Sequence, residues 1–443
     1  MKLLLVSRGF PPRGRWGTEF YTHQLARGLA TRGHEVSILC AVRDKTRERG
    51  SIEVSCSDGF RVFVVANPPD PRKPLADSWR TAEVERAFDE LLGRERFELV
   101  HFNYLLWGLS ARLPTIARAR GVPNVVTLTD FGLLCHRGQM FDWRSRDCGG
   151  PHAPAVCARC IREPSSYDDH GPRLFAKRAA VRGAALLGGL GRVVTAKHVA
   201  ERMRGIAEAA RSVDRFIAPT RALAEVFVRG GFDRASIEHL VYSFDETPFL
   251  AARAEPEGDV VRIGFLGQYA PNKGPHVLLD AVRIMAHRLP ESVEPWRVEL
   301  YGDSAGERYR DYGAQAFADH EARVVVHGAI EHVEVPELFR KLSAVVVPSL
   351  WMENAPFAAL QARAAGVPIV ASDVGGLAEV VEAPRFGDVF PPGDALALAD
   401  RLREVVLRKR RRIAEPGLPL GFAAHVERIE AVYALARRAG ARA

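Results

Sequence analysis

Glu353, Asn354, Ala355 and Pro356 follow the apolar run AVVV and bring a carboxylate, an amide and a proline to the start of what reads as a helix. Proline in a first helical turn leaves neighbouring amides free, and a helix N-terminus carries roughly half a positive charge. That combination suits a phosphate. After the next short strand, PIVAS, Gly375 and Gly376 stand at a second helix start, where glycine lets a ligand approach the backbone closely. Lys273, in GQYAPNKG after the strand VRIGFLG, adds a full positive charge at the same kind of place. Each glycine alone reads as a simple turn. Two helix starts and a lysine at successive strand ends read together as a cradle for a diphosphate. Glu353 by itself would be a solvated residue favouring the helix dipole. At a ligand-bearing edge its carboxylate can instead accept hydrogen bonds from sugar hydroxyls, and ligand contact is expected.

Strand ends imply strands. In the first half KLLLVS, EVSILC, FRVFVVA, ELVHF, NVVTL and DRFIAP read as strands, with helical patterns at 18–32, 81–92 and 110–120. In the second half VRIGFLG, RVELYG, RVVVHG, AVVVPS, PIVAS and GDVFPP alternate with helices near 274–287, 333–341, 356–365 and 394–407. Apolar runs bounded by turns and separated by helices predict parallel sheets covered on both faces. The same grammar twice predicts an α/β protein of two doubly wound domains, with ligands beyond the carboxyl ends of the strands. The expected limits are 1–244 and 256–418, divided by an irregular linker at 244–259 that holds two prolines and five acidic residues. Two facing strand edges suit a transferase with one substrate on each domain.

The whole-chain numbers agree. There are 443 residues, 47% apolar and 26% charged, which excludes disordered, collagen-like and coiled-coil chains. The longest apolar runs fall well short of the ~20 residues that span a bilayer. The opening MKLLLVSRGF is too short for a signal peptide, so a cytoplasmic protein is expected. The net charge is +8. Residues 170–211 hold nine Lys or Arg against two Glu, interleaved with apolar residues. That segment is expected to touch an anionic membrane face from inside, at about 1 kcal/mol per basic residue. The RKRRR run ending at Arg412 reads as a solvated helix end. Nucleic acid is not an expected partner, because no aromatic-basic platform accompanies the charge. No GxGxxG follows a strand and no GxxxxGK[ST] occurs, which removes support for dinucleotide and P-loop enzymes.

The pattern P-S-x-x-x-E-N-x-P, followed by A-x-A-x-G-x-P-x-V-A-S-D-x-G-G-x-x-E, resembles glycosyltransferase family 4. The opening SRGFPPRGRWGTEFYTHQLARGLATRGHEVSIL is similar to that family's first strand, glycine-bearing loop and first helix, and DRFIAPTR and GFLGQYAPNKG fit too. The resemblance implies the GT-B fold, a nucleotide-diphosphate sugar as donor, and transfer with retention to a glycan, lipid-linked or other acceptor. It implies no catalytic cofactor, and a final helix at 422–437 that returns to the first domain. Glu353 matches the glutamate that holds the donor sugar. Its partner glutamate, which binds ribose, is Gln361 here. Lys273 matches the phosphate-binding lysine, and the arginine before it is Gln268. Asp130 matches a residue of the acceptor side, preceded by Thr129 where many members have histidine. The acceptor is then expected near Gly17, Thr18 and Asp130, with Arg8 and Arg13 for an anionic acceptor. His101 ends a strand at that edge and is read equally as an acceptor contact or as a structural histidine.

Six cysteines occur. Cys40 and Cys56 read as inert thiols. Cys135, Cys148, Cys157 and Cys160 crowd an irregular Gly/Pro-rich insertion at 131–165, where a closed tetrahedral zinc would replace a missing core. His136 or His152 could substitute for one ligand, and free thiols are the alternative. Three functions remain open: an active sugar transferase in polysaccharide or glycoconjugate synthesis, a sugar-nucleotide-binding subunit of low activity, and a same-fold epimerase or hydrolase.

Overall fold

The computed structural model describes residues 1–12, 14, 16–69, 78–163, 183, 194–253, 260–290, 293, 295–304, 323–408 and 412–440. Eight strands form the first sheet: β1 (Lys2–Val6), β2 (Glu35–Val42), β3 (Ile52–Ser57), β4 (Phe60–Ala66), β5 (Leu99–Phe102), β6 (Asn124–Thr127), β7 (Arg215–Ala218) and β8 (Ile237–His239). Their order is β3-β4-β2-β1-β5-β6-β7-β8. Leu3, Leu4, Leu5 and Val6 of β1 are each 0% exposed, as a central strand covered on both faces requires. The second sheet holds β9 (Val261–Leu266), β10 (Trp296–Tyr301), β11 (Val324–Gly328), β12 (Ala344–Val347), β13 (Ile369–Ser372) and β14 (Gly387–Phe390), in the order β11-β10-β9-β12-β13-β14. All its pairs are parallel.

The covering helices of the first lobe are α1 (Gly17–Thr31), α2 (Ala82–Glu95), α3 (Leu113–Ala119), α4 (Pro154–Arg162), α5 (Ala196–Ala210) and α6 (Arg221–Arg229). Then come α7 (Thr247–Ala251), α8 (Pro275–Arg288), α9 (Val335–Lys341), α10 (Phe357–Ala365), α11 (Leu377–Val381), α12 (Ala395–Arg408) and α13 (Phe422–Gly440). The last of these packs on α1, β6 and β7, burying Val426, Ile429, Val432, Tyr433 and Ala436. That spacing of three and four puts one apolar stripe against the first sheet.

The structure departs from the sequence expectations in four places. An antiparallel edge strand, β3, pairs with β4, so the first sheet is not purely parallel. Its sequence IEVSCS is polar on its open faces and so lacks the apolar run of a buried strand. The short β8 was likewise invisible. The linker expected to be irregular contains α7, whose Phe249 packs on Phe244 and Phe339; residues 254–259 lie outside the described residues. The cysteine-bearing insertion is not wholly irregular either, because α4 forms within it and packs on α5.

Candidate active site

Strand order reverses between β9 and β12 in the second lobe, and ligands of open parallel sheets bind where order reverses. Lys273 follows β9 and Glu353 follows β12, so both stand at that crevice. The Lys273 ammonium donates to Glu353 Oε1 at 2.7 Å. The same oxygen accepts from Ser349 Oγ at 2.6 Å and from Trp351 Nε1 at 2.7 Å. Lys273 also lies over the Trp351 ring, 5.0 Å from its centroid. Glu353 is only 4% exposed, and a buried carboxylate stays where such donors meet it.

Two glycines make the approach possible. Gly274, at φ +69°, ends the single turn Pro271–Lys273, and a Cβ there would lie 1.9 Å from the Pro348 carbonyl oxygen. Gly375, at φ +57°, leaves 2.4 Å between an added Cβ and the Glu353 carbonyl oxygen. Lys273, Glu353 and the Gly375 turn therefore meet in one place. Of the two glycine amides expected to face a phosphate, Gly376 N–H is already engaged, donating to the Glu353 carbonyl at 2.7 Å. Pro356 stands one residue before α10 as its N-cap, with Ala355 buried beneath it. Gln361 lies inside α10, 5% exposed, and its carboxamide makes no hydrogen bond among the described residues. Gln268 is half-buried in the loop after β9.

Asn354 faces the other lobe. Its Nδ2 donates to the Leu128 carbonyl at 3.2 Å, and its Oδ1 accepts from Thr220 Oγ1 at 3.2 Å. Glu379 reaches across as well, accepting from the backbone N–H groups of Arg221 and Ala222 at the start of α6, at 2.9 and 2.8 Å. Phe357 of α10 packs against Phe20, Tyr242 and Phe244, and a Cβ on Gly17 would sit 3.1 Å from its ring. The lobes are closed on each other at the two helix starts.

On the first lobe, Gly17 and Thr18 open α1 beside this contact. Asp130 follows β6, with its Oδ1 accepting from Gly132 N–H at 2.7 Å. Burial pushes its carboxyl up to about 6, against the opposing pull of that hydrogen bond and of Arg8 and Arg202. Arg8 is exposed and also acts on Glu19 and Tyr104. Thr129 is half-buried beside Asp130, its hydroxyl donating to the Asn103 carbonyl at 3.2 Å. Arg13 lies outside the described residues.

His101 is not at the cleft. It is 0% exposed, with Nδ1 2.8 Å from Tyr433 Oη and Nε2 2.7 Å from Thr127 Oγ1, and burial lowers its pKa to about 3. It is a neutral histidine that ties α13 to the sheet, so the acceptor contact is withdrawn. Ser349 and Trp351 were missed by sequence reasoning. Ser349 and Trp351 lie inside the motif already singled out; only their convergence on one oxygen was unreadable.

The zinc set is not supported. Among the described residues no group of three or more His, Cys, Asp or Glu is disposed to hold a metal ion. Cys135, Cys148, Cys157 and Cys160 are free thiols along one cavity wall. Burial raises the pKa of Cys148 to about 11 and moves Cys157 and Cys160 the same way. Of the basic segment 170–211, residues 170–182 and 184–193 lie outside the described residues, and Arg202 on α5 is buried, not offered to a surface. No helix among the described residues is long and apolar enough to cross a membrane.

Comparison with known proteins places this architecture. Residues 17–241 match the family described as glycosyl transferase 4-like domain, and residues 260–407 match glycosyl transferases group 1. The chain belongs to the family 4 glycosyltransferases, and its two facing Rossmann-like sheets are the GT-B fold. A D-inositol 3-phosphate glycosyltransferase of Jonesia denitrificans is 34% identical over 145 residues, 31% of this chain and 32% of that protein. The chain thus spans about a third of the length of that relative. A glycogen synthase of Mycobacterium tuberculosis is 26% identical over 442 residues, 95% of this chain and 91% of that protein. The solved structure of Anabaena HepE in complex with UDP and glucose superimposes with a TM-score of 0.60 at 16% identity, covering 99% of this chain and 98% of that one.

Proposed function

We propose that this chain transfers a glycosyl group from a nucleotide-diphosphate sugar to an acceptor on the first lobe, retaining the anomeric configuration. The observation that carries the reading is the 2.7 Å contact of Lys273 with Glu353 at the strand-order reversal of the second lobe. A diphosphate entering there shares the Lys273 ammonium, which then meets the charge that develops on the leaving group. Ser349 and Trp351 keep Glu353 Oε1 in place, leaving Oε2 for hydroxyls of the donor sugar. Gln361 faces the ribose and Gln268 the diphosphate; a neutral amide bonds a hydroxyl about half as strongly as a carboxylate does. The acceptor, a glycan or lipid-linked sugar, meets Asp130, Gly17 and Thr18, with Arg8 and Arg13 suited to an anionic group. The setting is polysaccharide or glycoconjugate synthesis at the inner membrane face. The names of the relatives, and the UDP and glucose held by the Anabaena protein, support a nucleotide-sugar donor.

Calorimetric titration of nucleotide sugars against the whole chain, followed by NMR of the product's anomeric carbon, tests this. No binding by any nucleotide sugar, or an inverted product, rejects it. The engaged Thr129 hydroxyl and the two glutamines favour one second reading, a binding subunit of low activity. Tight donor binding with no nucleotide release in the presence of acceptor extracts would select that reading.

A further inference from the structure

Residues 134–161 and α5 border a cavity of about 300 Å³, large enough for a small organic molecule. Among the described residues five arginines and two aspartates line it. Both aspartates are engaged locally: Asp142 accepts from the Arg144 and Arg146 amides, and Asp147 from the Gly149 amide. At its floor lies Arg202, 3% exposed, whose guanidinium donates to the Gly132 carbonyl while Nε has no partner. Arg137 beside it donates to the Cys160 and Glu163 carbonyls at 2.7 and 3.1 Å and also keeps an unpartnered Nε. Asp130 is the carboxylate whose charge acts on Arg202. Arg202 is buried with that distant carboxylate as its counter-charge, and an anion in the cavity would add to the compensation. The remaining wall supplies Phe141 and Met203 for a ligand's apolar body, while the Trp143 ring lies under the Arg144 and Arg159 guanidinium groups.

We propose that this cavity is a binding site for a small organic phosphate, with its anionic group on Arg202 and Arg137 and its body on Phe141 and Met203. Five arginines against two aspartates suit the double charge of a phosphate better than a single carboxylate. A guanidinium keeps its proton at neutral pH, so both arginines are cations there. The site is separate from the Lys273–Glu353 crevice, and its existence does not depend on the donor assigned there. Gly132 joins the two regions, since its carbonyl accepts from Arg202 and its amide donates to Asp130.

The test titrates the full chain with inorganic phosphate and with glucose 1-phosphate, against sodium chloride of equal ionic strength, reading thermal midpoint and tryptophan fluorescence. The expected result is a saturable rise in midpoint and a fluorescence change, with glucose 1-phosphate binding more tightly. Arg202→Met should weaken that binding by at least about tenfold, the loss of one charge-assisted contact, with UDP affinity unchanged. Arg137→Met provides the same reading if Arg202→Met does not fold. Phosphate alone saturating as well as glucose 1-phosphate would overturn the organic ligand. No saturable response by the unsubstituted chain, or an undiminished response in the arginine variants, overturns the site. So does a stoichiometric metal in the purified chain with all four insertion thiols closed to alkylation.

Discussion

Glu353 receives three donors on one carboxylate oxygen, and each should carry a separable part of donor binding. Lys273→Ala removes the only cation among them and should weaken nucleotide-sugar binding by about tenfold to a hundredfold in calorimetry. Unchanged affinity would contradict the cradle. Trp351→Phe keeps an aromatic ring near Lys273 and deletes the N–H together with part of the indole's apolar surface. It should lower kcat/KM by about tenfold, with a drop in thermal midpoint that Trp351→Leu matches. Asp130 makes a pH prediction of definite sign. Burial raises its pKa to about 6, so below that pH the carboxyl is neutral. If the carboxylate meets the acceptor, kcat/KM for the acceptor should fall on the acid side of pH 6, and Asp130→Asn should flatten that limb. A profile unchanged by Asp130→Asn would remove the residue from the site.

At the scale of elements, α13 is held to the first lobe by more than its apolar stripe. Tyr433 meets His101, and Tyr21 Oη lies 3.0 Å from His425 Nε2. Tyr433→Phe strands a buried imidazole nitrogen and should cost about 1–3 kcal/mol in denaturant unfolding. The same network sets an acid limit on stability. Burial lowers the pKa of His101 to about 3 and that of His425 to about 4, against about 6.5 in an unfolded chain. Both are neutral in the fold, so their contribution is complete above pH 6.5. It is lost progressively as pH falls from there towards their folded values, because the unfolded chain binds the protons first. The thermal midpoint should therefore drop through that window, and His101→Gln should shallow the drop. A midpoint flat from pH 7 to pH 4 would refute the linkage.

Across the whole molecule, the two lobes are joined by side chains from the segment that also carries Glu353. Asn354 bonds Leu128 and Thr220, and Glu379 caps α6. One apolar cluster runs from Leu3 and Leu25 of the first lobe through Phe244 and Phe249 to Phe339 and Ala359 of the second. Polar bridges and apolar packing together hold the lobes on each other. Asn354→Ala with Glu379→Ala removes about 0.5–1.5 kcal/mol for each hydrogen bond lost and should populate an open form. Small-angle scattering should then record a larger radius of gyration, which donor binding reverses. An unchanged radius would mean that the apolar back alone keeps the lobes shut.

The apolar runs of β1, β2, β12 and β13 determined a doubly wound protein with two lobes, because strands buried on both faces read as apolar segments. The glycines, lysine and glutamate of the second half were legible for the same local reason: their chemistry needs strand ends and tight turns that sequence displays. What sequence could not determine was which partner each polar group would choose. His101 and Asp130 both follow or end central strands, yet His101 is sealed under α13 and Asp130 lies near Arg8. The four insertion cysteines looked like ligands by spacing, while Arg202, without any motif, became the buried charge beside them. Burial and pairing are properties of segments brought together from distant parts of the chain. Only the tertiary structure decides which charges are compensated.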